Sequence, residues 1–413
     1  MSSTRIRVVA ESKEFESLAG VWDSLLQRSV DDKSIYLTHE WLSTWWKHFG
    51  GENKLNILLI EREHQVIGIV PLMKSKYRIG LVKYRLLETI GSVNCNYVGL
   101  IPPENREEAV TALLAYLEEE LGNNGLVLRL TLVPEDSKLL DILRRRHAQF
   151  SRKLVIQETV MTLAPYISLP ANWDEYFRSL GGRRRRRLRQ ALRSLKKEHN
   201  VEFQKCTADD LEDWLSKFFD LHQRRWQSVN VSGIFSNSKT KGFYRDIAVQ
   251  FLKKNWLHFS YLTVDDEMVA AEYAFVYNQK FYSATAARDI RYSKYSIGHL
   301  HHMFLIKAAI ENGLREFDFL KGDEPYKFYW TKSAKQYMQI VTIKKGLCPG
   351  LRLKSIHAFL RLHELRQYGL RELYSLYFMK RREEKEKKRM GLLKKGEEKQ
   401  EDNPNESPLP PPP

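Results

Sequence analysis

A single glutamate in a strand-like stretch is the first candidate for proton transfer. Period-two alternation places Glu272 on the same face as Ala270 and Ala274. These small neighbours leave room beside the carboxylate, which could accept a proton from an attacking amine or hydroxyl. An ion pair or a solvated strand face would explain the same residue without catalysis.

A second group of candidates follows the segment REFDFL. Asp318 points away from Phe317 and Phe319 and could act as a base, orient an acceptor or hold the following loop. Tyr326 and Lys327 come just after a Gly-Asp-Glu-Pro turn, and loops of this kind often carry ligand-binding groups. The tyrosine could protonate a leaving group and the lysine could meet a phosphate. A packed ring and a surface lysine are the alternative.

A phosphate-binding turn is predicted where the helix Gly298–Asn312 begins. A helix N-terminus offers unpaired N–H donors and the positive end of a dipole to a phosphate. Arg288 and Arg291 flank the preceding loop and are suitable phosphate partners. The residues predicted to hold the phosphates are Arg288, Ser296, Ile297, Gly298 and His299.

Three histidines near this turn do not predict a metal site. On a helix only His299 and His302 share a face, and His301 points elsewhere. No carboxylate joins them at i+4, and the HExxH pattern is absent. We expect His299 to cap the predicted phosphate turn instead.

Part of the formal net charge of +16 lies in the stretch from Arg183 to Lys197. Leu188, Leu192 and Leu195 form an apolar stripe there, which predicts an amphipathic helix with a strongly basic outer face. That face is either simply solvated or binds an anionic membrane surface, a lipid-linked diphosphate or tRNA. Without aromatic stacking residues it is poor evidence for sequence-specific nucleic-acid binding.

The elements that must position these residues occur twice along the chain. A length of 413 residues favours two domains, predicted at 1–165 and 166–346. Each half reads as antiparallel strands, a long helix and a further strand, so we predict an α/β (α+β) fold with two domains. The predicted elements are strands Asn56–Ile60, Val66–Met73, Tyr84–Ile90, Asn96–Leu100 and Leu126–Leu132 with helix Glu104–Leu121, then strands His258–Val264, Met268–Tyr277, Phe281–Ala287 and Arg315–Leu320 with helix Gly298–Asn312.

The first half lacks a comparable phosphate turn. Pro102 and Pro103 remove two N–H donors before its long helix, and Glu104 follows them. We therefore expect this half to shape an acceptor cleft rather than to bind a phosphate-bearing donor. Beyond the second half, residues 347–379 read as an amphipathic helical extension and 380–413 as a charged, proline-rich disordered tail.

This order of elements resembles the GNAT acyltransferase fold. In that family the turn before the central helix holds the pyrophosphate of acetyl-coenzyme A under an Arg/Gln-x-x-Gly-x-Gly/Ala pattern. Here the matching positions are Ser293-Lys294-Tyr295-Ser296-Ile297-Gly298. Gly298 fits the last position, whereas Ser296 replaces the first glycine and Ser293 replaces the Arg or Gln.

The phrase FDFLKGDEPYKFYW resembles one branch of that family, the CelD-type acyltransferases associated with cellulose and other exopolysaccharide synthesis. The likeness covers roughly residues 5–345, and the domain pair also resembles the Fem-type aminoacyl transferases. The branch shows the pattern DF-x-x-G-x-E-x-Y-K-x-x-W, matched here by Asp318, Phe319, Gly322, Glu324, Tyr326, Lys327 and Trp330.

The resemblance implies an acyltransferase that passes an acyl group, acetyl as the first choice, from coenzyme A to an amine or hydroxyl of a saccharide. The alternatives are a Fem-type transferase using aminoacyl-tRNA and a non-catalytic GNAT-like scaffold. Scattered cysteines and the lack of a signal peptide predict a cytoplasmic protein, with attachment to the inner membrane face as a further option. The predicted roles are catalysis by Glu272, Asp318 and Tyr326, and substrate binding by Lys327, Glu324 and Arg291.

Overall fold

The computed structural model describes residues 4–29, 34–79, 81–91, 99–124, 126–150, 153–228, 232–346 and 348–368. Contacts divide the chain into one unit up to His363 and a second from Glu364 to Pro413. The predictions for 96–98, for 369–379 and for the tail 380–413 lie outside the described residues. The predicted boundary between two domains near residue 165 stays a prediction.

The first half contains six strands and five α-helices within the described residues. The first two helices, Ser12–Ser17 and Ala19–Arg28, are separated at Leu18. In chain order the elements are β1 (Thr4–Val9), α1 (Ser12–Ser17), α2 (Ala19–Arg28), α3 (His39–Phe49), β2 (Lys54–Arg62), β3 (Gln65–Ile79), β4 (Val82–Thr89), α4 (Arg106–Asn124), β5 (Val127–Pro134), α5 (Lys138–Phe150) and β6 (Leu154–Ser168).

The second half repeats the arrangement of strands before and after a long helix. Its described elements are α6 (Trp173–Ser179), α7 (Gly182–Glu198), β7 (Val201–Lys205), α8 (Leu211–Gln227), α9 (Ser238–Lys253), β8 (Leu257–Val264), β9 (Glu267–Tyr277), β10 (Lys280–Arg288), α10 (Ile297–Glu311), β11 (Glu316–Asp318), β12 (Ala334–Lys344) and α11 (Pro349–Tyr368). Short 3-10 turns at Ile290–Tyr295 and Lys327–Tyr329 flank α10 and β11.

The described strands form one twelve-stranded sheet in the order β1-β2-β3-β4-β5-β12-β6-β11-β10-β9-β8-β7. Each half contains one parallel pair, β4 with β5 and β10 with β11, on either side of its long helix. The last strands are exchanged between the halves, because β12 pairs with β5 and β6 pairs with β11. Each half therefore completes its sheet with a strand from the other.

Two-residue turns close the hairpins at the positions that the sequence predicts. In each of these turns both central residues have positive φ, as in the type I′ turn that matches the twist of the flanking strands. The turn residues are Glu63 and His64, Asp265 and Asp266, and Asn278 and Gln279.

Two cores cover the two faces of the second-half sheet. On one face α8, α9 and the first half pack together, with the Trp41 ring of α3 lying 4.9 Å from Phe243 and 5.7 Å from Phe275. On the other face α6, α7 and α10 cover apolar residues such as Phe281 and Phe317. Helix α10 therefore lies on the face opposite to the contact with the first half.

One predicted strand is only a bridge in the described chain. From the predicted Asn96–Leu100, residues Gly99 and Leu100 are described, and Leu100 makes an isolated antiparallel bridge with Ile69. None of the helices in the described part of the chain carries an apolar stretch long enough to span a bilayer.

Candidate active site

The two parallel strands β10 and β11 separate after three residues. Lys280–Tyr282 pairs with Glu316–Asp318, and the Phe319 N–H then donates to Pro165 of β6 at 3.0 Å. Strand β10 continues to Arg288 with an irregularity between Ser283 and Thr285. Its edge from Ser283 onwards therefore has no described strand beside it on the β11 side.

Glu272 lies in β9 on the face covered by α10. It is fully buried, and its Oε1 accepts a hydrogen bond of 2.5 Å from the Ser283 hydroxyl. Its Oε2 has no hydrogen-bond partner among the described residues. Burial raises the pKa of Glu272 to about 7, against the opposing effects of the Ser283 hydrogen bond and the Lys327 charge. A carboxyl with this pKa changes between acid and base near neutral pH.

The start of α10 presents free backbone donors. Ser296 adopts the left-handed conformation, with φ 53° and ψ 42°, and forms the N-cap. The N–H groups of Ile297 and Gly298 donate to no acceptor among the described residues, whereas the His299 N–H donates to the Ser296 carbonyl at 2.8 Å. A Cβ on Gly298 would lie 3.2 Å from Nη1 of Arg288, so the guanidinium sits directly over the helix start.

These groups fit the diphosphate of an acyl-coenzyme A. Two N–H donors, the helix dipole and one guanidinium converge at Gly298, where a Cβ would press against the Arg288 side chain. Desolvation and the nearby charge of Arg225 lower the pKa of Arg288, and Tyr326 acts in the opposite direction.

His302 connects the helix start with the loop that follows β11. Its Nδ1 donates to the Gly298 carbonyl at 2.8 Å, and its ring lies 5.6 Å from Tyr326 and 5.7 Å from Phe319. Because a carbonyl only accepts hydrogen bonds, Nδ1 carries the proton and Nε2 is the acceptor nitrogen of the neutral ring. Burial lowers the pKa of His302 to about 4, so the ring is uncharged at neutral pH.

His299 lies beside the same loop, one turn earlier on α10. Its ring centroid is 4.1 Å from that of Tyr329 and 5.9 Å from that of Trp330. Burial and the charge of Arg288 lower its pKa to about 4. A neutral imidazole adds no charge to the helix start, which leaves the guanidinium of Arg288 as the cation closest to Gly298.

Lys327 is buried and ties the loop together. Its ammonium donates to the carbonyls of Leu320, Lys321 and Gly322 at 3.2, 2.6 and 3.3 Å, and pairs with Glu324 at 2.9 Å. Gly322 has φ 108°, and a Cβ there would overlap the Glu324 carboxylate. The protein acceptors therefore occupy the donors of Lys327, and the lysine acts on Glu272 through its charge.

Two predicted site residues lie elsewhere. Asp318 is paired in register with Tyr282 on the opposite face of the sheet, and its Oδ1 accepts the Leu320 N–H at 2.7 Å. Burial raises the pKa of Asp318. Arg291 binds Asp289 at 2.7 Å and also pairs with Glu267 at the surface. The structure brings together Glu272, Arg288, Ser296, Ile297, Gly298, His299, Tyr326, Lys327 and Glu324.

Two further residues lie at this candidate site although the sequence did not predict them as site residues. Ser283 contacts Glu272, and His302 joins Gly298 to Tyr326. Alternation along β10 from Phe281 carried a signal for Ser283, since both residues share the Glu272 face. Among the described residues no group of three or more His, Cys, Asp or Glu side chains is arranged to hold a metal ion.

Comparisons with known proteins agree with this geometry. A family model described as "Acetyltransferase (GNAT) domain" matches residues 182–328, which run from α7 through the loop of Lys327. A search of curated proteins by sequence returned no match.

Three solved structures are similar to this chain over most of its length. The crystal structure of FemX is 11% identical, with a TM-score of 0.53, over 82% of this chain and 96% of that one. The C-terminal domain of a putative lysylphosphatidylglycerol synthetase from Agrobacterium fabrum is 10% identical, with a TM-score of 0.50, over 83% and 95%. A tandem GNAT protein from the clavulanic acid biosynthesis pathway is 10% identical, with a TM-score of 0.48, over 83% and 99%.

The chain thus has a GNAT acyltransferase-like α/β fold, and the match to the family model lies in its second half. The likeness to FemX extends over both halves and concerns the fold alone. The predicted α/β (α+β) fold is confirmed, and each half of the described chain shows strands, a long helix and a parallel strand.

Proposed function

We propose that this protein is an acyltransferase that moves an acyl group from coenzyme A to an amine or hydroxyl. One observation carries the proposal: a buried carboxyl with a pKa of about 7 lies behind a helix start that offers free N–H donors and a guanidinium. A general base and an anion-binding turn are the two parts that acyl transfer from a phosphate-bearing thioester needs.

Glu272 is the proposed base. The acceptor nitrogen or oxygen forms a bond to the acyl carbon, and its proton passes to Glu272 through the Ser283 hydroxyl. Ser283 is well placed for this step because it lies at the edge of β10 that β11 leaves open and already donates to Glu272. As the carbon–sulfur bond breaks, Tyr326 gives its proton to the departing sulfur.

Arg288 and the backbone of Ile297 and Gly298 would hold the donor diphosphate. An acyl-coenzyme A would supply the activated thioester when bound. Lys327 and Glu324 keep the loop of Tyr326 closed against β6, with Gly322 donating to Leu163 at 2.8 Å. The acetyl group as the cargo and a saccharide as the acceptor rest on the motif resemblance of residues 318–330. The proposed site of action is the cytoplasm.

Calorimetric titration with acetyl-coenzyme A and with S-acetylpantetheine tests the donor. The second compound has the same thioester arm without the diphosphate. We expect acetyl-coenzyme A to bind at least tenfold more tightly, because charge-assisted hydrogen bonds to the phosphates are lost in the shorter compound. Equal affinity, or no binding of acetyl-coenzyme A at millimolar concentration, would contradict the proposal.

A second candidate function is Fem-type transfer from aminoacyl-tRNA. The similarity of fold to FemX and the basic outer face of α7 favour it. Salt-sensitive binding of charged tRNA, together with the absence of acetyl-coenzyme A binding, would support this alternative.

A further inference from the structure

The outer face of α7 carries four cations in a row along the helix. At about 100° per residue, Arg183, Arg186, Arg193 and Lys197 fall on one side of the helix, opposite the buried Leu188 and Leu195. All four side chains are exposed. The stripe, hereafter the α7 basic stripe, spans about 21 Å along the helix axis.

The α7 basic stripe has no internal counter-charge. None of its four cations forms an ion pair or hydrogen bond with a described side chain, whereas Glu198 at the end of the helix is engaged by Lys294 and Tyr295. Cations in the first turn oppose the helix dipole, and like charges three or four residues apart repel each other. This arrangement costs free energy in the isolated chain and is relieved by an external anionic surface.

An aromatic corner adjoins the stripe. Trp173 of α6 is partly exposed and stacks on Phe177 with ring centroids 5.1 Å apart. The Arg189 guanidinium lies 5.1 Å from the centroid of the Phe177 ring. Tryptophan beside arginine is the combination found where proteins contact the headgroup region of a bilayer.

We propose that the α7 basic stripe binds the surface of a membrane rich in anionic phospholipids. Parallel cations on a straight helix fit a planar field of negative headgroups, to which each basic residue contributes additively. Trp173, which is joined to α7 through Phe177 and Arg189, would enter the headgroup layer. This inference does not depend on the acyltransferase proposal, because the four cations are outside the candidate active site.

A nucleic acid fits the same face less well. The outward positions of α7 carry Arg, Lys and Gln190 and no aromatic ring on which a base could stack. A single helix with its long axis exposed also lacks a groove that follows a nucleic-acid backbone. Binding of tRNA is therefore an outcome of the test rather than the expectation.

Co-sedimentation with vesicles tests the proposal. The full-length protein is mixed with phosphatidylcholine vesicles or with phosphatidylcholine–phosphatidylglycerol vesicles, at low and high salt. We expect binding only to the anionic vesicles, weakened by salt. The variant Arg186→Gln/Arg193→Gln/Lys197→Gln should bind anionic vesicles about a hundredfold more weakly. Each of the three charges removed should lower the affinity about fivefold.

A matched control removes the same charge elsewhere. Lys13→Gln/Lys239→Gln/Lys253→Gln changes three exposed lysines on other elements and should bind anionic vesicles like the wild type. Thermal unfolding of the stripe variant should show no loss of stability, since repulsion is removed. Equal vesicle binding by both variants would overturn the proposal. So would failure of the wild type to bind anionic vesicles while it binds tRNA through the stripe.

Discussion

The two halves of this protein contain the same kind of parallel strand pair but carry different side chains around it. In the first half β4 and β5 pair from Leu86 to Glu88, and in the second β10 and β11 pair from Lys280 to Tyr282. A long helix, α4 or α10, connects the strands in each case. The topology alone therefore does not create a site.

Strands β3 and β9, which pair with β4 and β10, show the first difference. Glu88 pairs with Met73 in the first half, as Tyr282 pairs with Phe275 in the second. Three residues earlier along these strands stand Val70 and Glu272. Both positions are buried, so the second half places a carboxyl where the first half has an aliphatic side chain.

The helix starts show the second difference. Before α4 the prolines at 102 and 103 lack N–H groups, and Arg106 is buried with its Nε donating to the Ile101 carbonyl at 3.2 Å. Before α10 the donors are free and Arg288 is exposed. At these matching positions the second half has a buried carboxyl, free N–H donors and an exposed arginine, which is why the proposed site lies there.

Replacing the carboxyl should have the largest effect. We expect Glu272→Gln to lower the rate of acyl transfer by about 10² to 10⁴, the range that a general base contributes. Glutamine keeps the shape and still accepts from Ser283, so the fold should persist. The measurement is release of free thiol from acetyl-coenzyme A with a panel of amine and hydroxyl acceptors.

The buried carboxyl of the first half provides the control. Glu88 accepts a hydrogen bond of 2.6 Å from Tyr77 and is equally inaccessible to solvent. Glu88→Gln should leave the transfer rate unchanged. A comparable loss of rate in both variants would mean that the two halves do not differ as proposed.

The same carboxyl should make stability depend on pH. Because its folded-state pKa of about 7 exceeds its ordinary value, the protonated form stabilises the fold fully below about pH 4.5. This stability is lost as the pH rises through 7. Chemical unfolding measures this change. Between pH 4.5 and 8.5 the free energy of unfolding should fall by about 3 kcal/mol less for Glu272→Gln than for the wild type. If the free energies of unfolding of the wild type and Glu272→Gln change in parallel with pH, Glu272 is not buried in solution.

Adding charge at the open helix start should weaken donor binding. We expect Gly298→Asp to reduce the affinity for acetyl-coenzyme A by about tenfold to a hundredfold, because a carboxylate would pair with Arg288 and repel the diphosphate. Calorimetry measures the change. Pro103→Asp, an exposed substitution near the start of α4, is the control and should have no effect. Unchanged affinity of Gly298→Asp for acetyl-coenzyme A would mean that the donor does not bind at the start of α10.

The sequence predicted the hairpins and α10 because their signals are local. Polar turn pairs such as Asp265 and Asp266 mark the strand ends, and alternation exposes the face of Glu272. It did not predict β6 or β12. Most side chains of β6 are half-buried, so they show no alternation, and the positions of both strands depend on an exchange between distant parts of the chain.

The site could be predicted only where spacing reveals it. Gly298 and Glu272 follow from a helix start and a strand period. The partners of Lys327 do not, because three carbonyls face one ammonium only after Leu320 and Gly322 adopt positive φ. Tertiary geometry of this kind leaves no mark on residue spacing.

The smallest predicted effect concerns Ser296, which stands where the GNAT pattern has its first glycine. Ser296 is exposed, has φ 53° and makes no side-chain capping bond, so it already adopts the conformation that a glycine would take. Left-handed backbone costs a non-glycine residue about 1 kcal/mol. Ser296→Gly should therefore raise the free energy of unfolding by about 0.5 kcal/mol after the entropy cost of glycine, without loss of donor affinity.

A serine three residues earlier gives the contrast for chemical unfolding. Ser293 is not among the residues with positive φ, and its hydroxyl donates to the Ile290 carbonyl at 2.6 Å. Ser293→Gly should lower the free energy of unfolding, opposite in sign to Ser296→Gly. If both substitutions destabilise the protein, the turn does not hold Ser296 in the left-handed region. The serine would then make this helix start different in conformation from one with the glycine of the GNAT pattern.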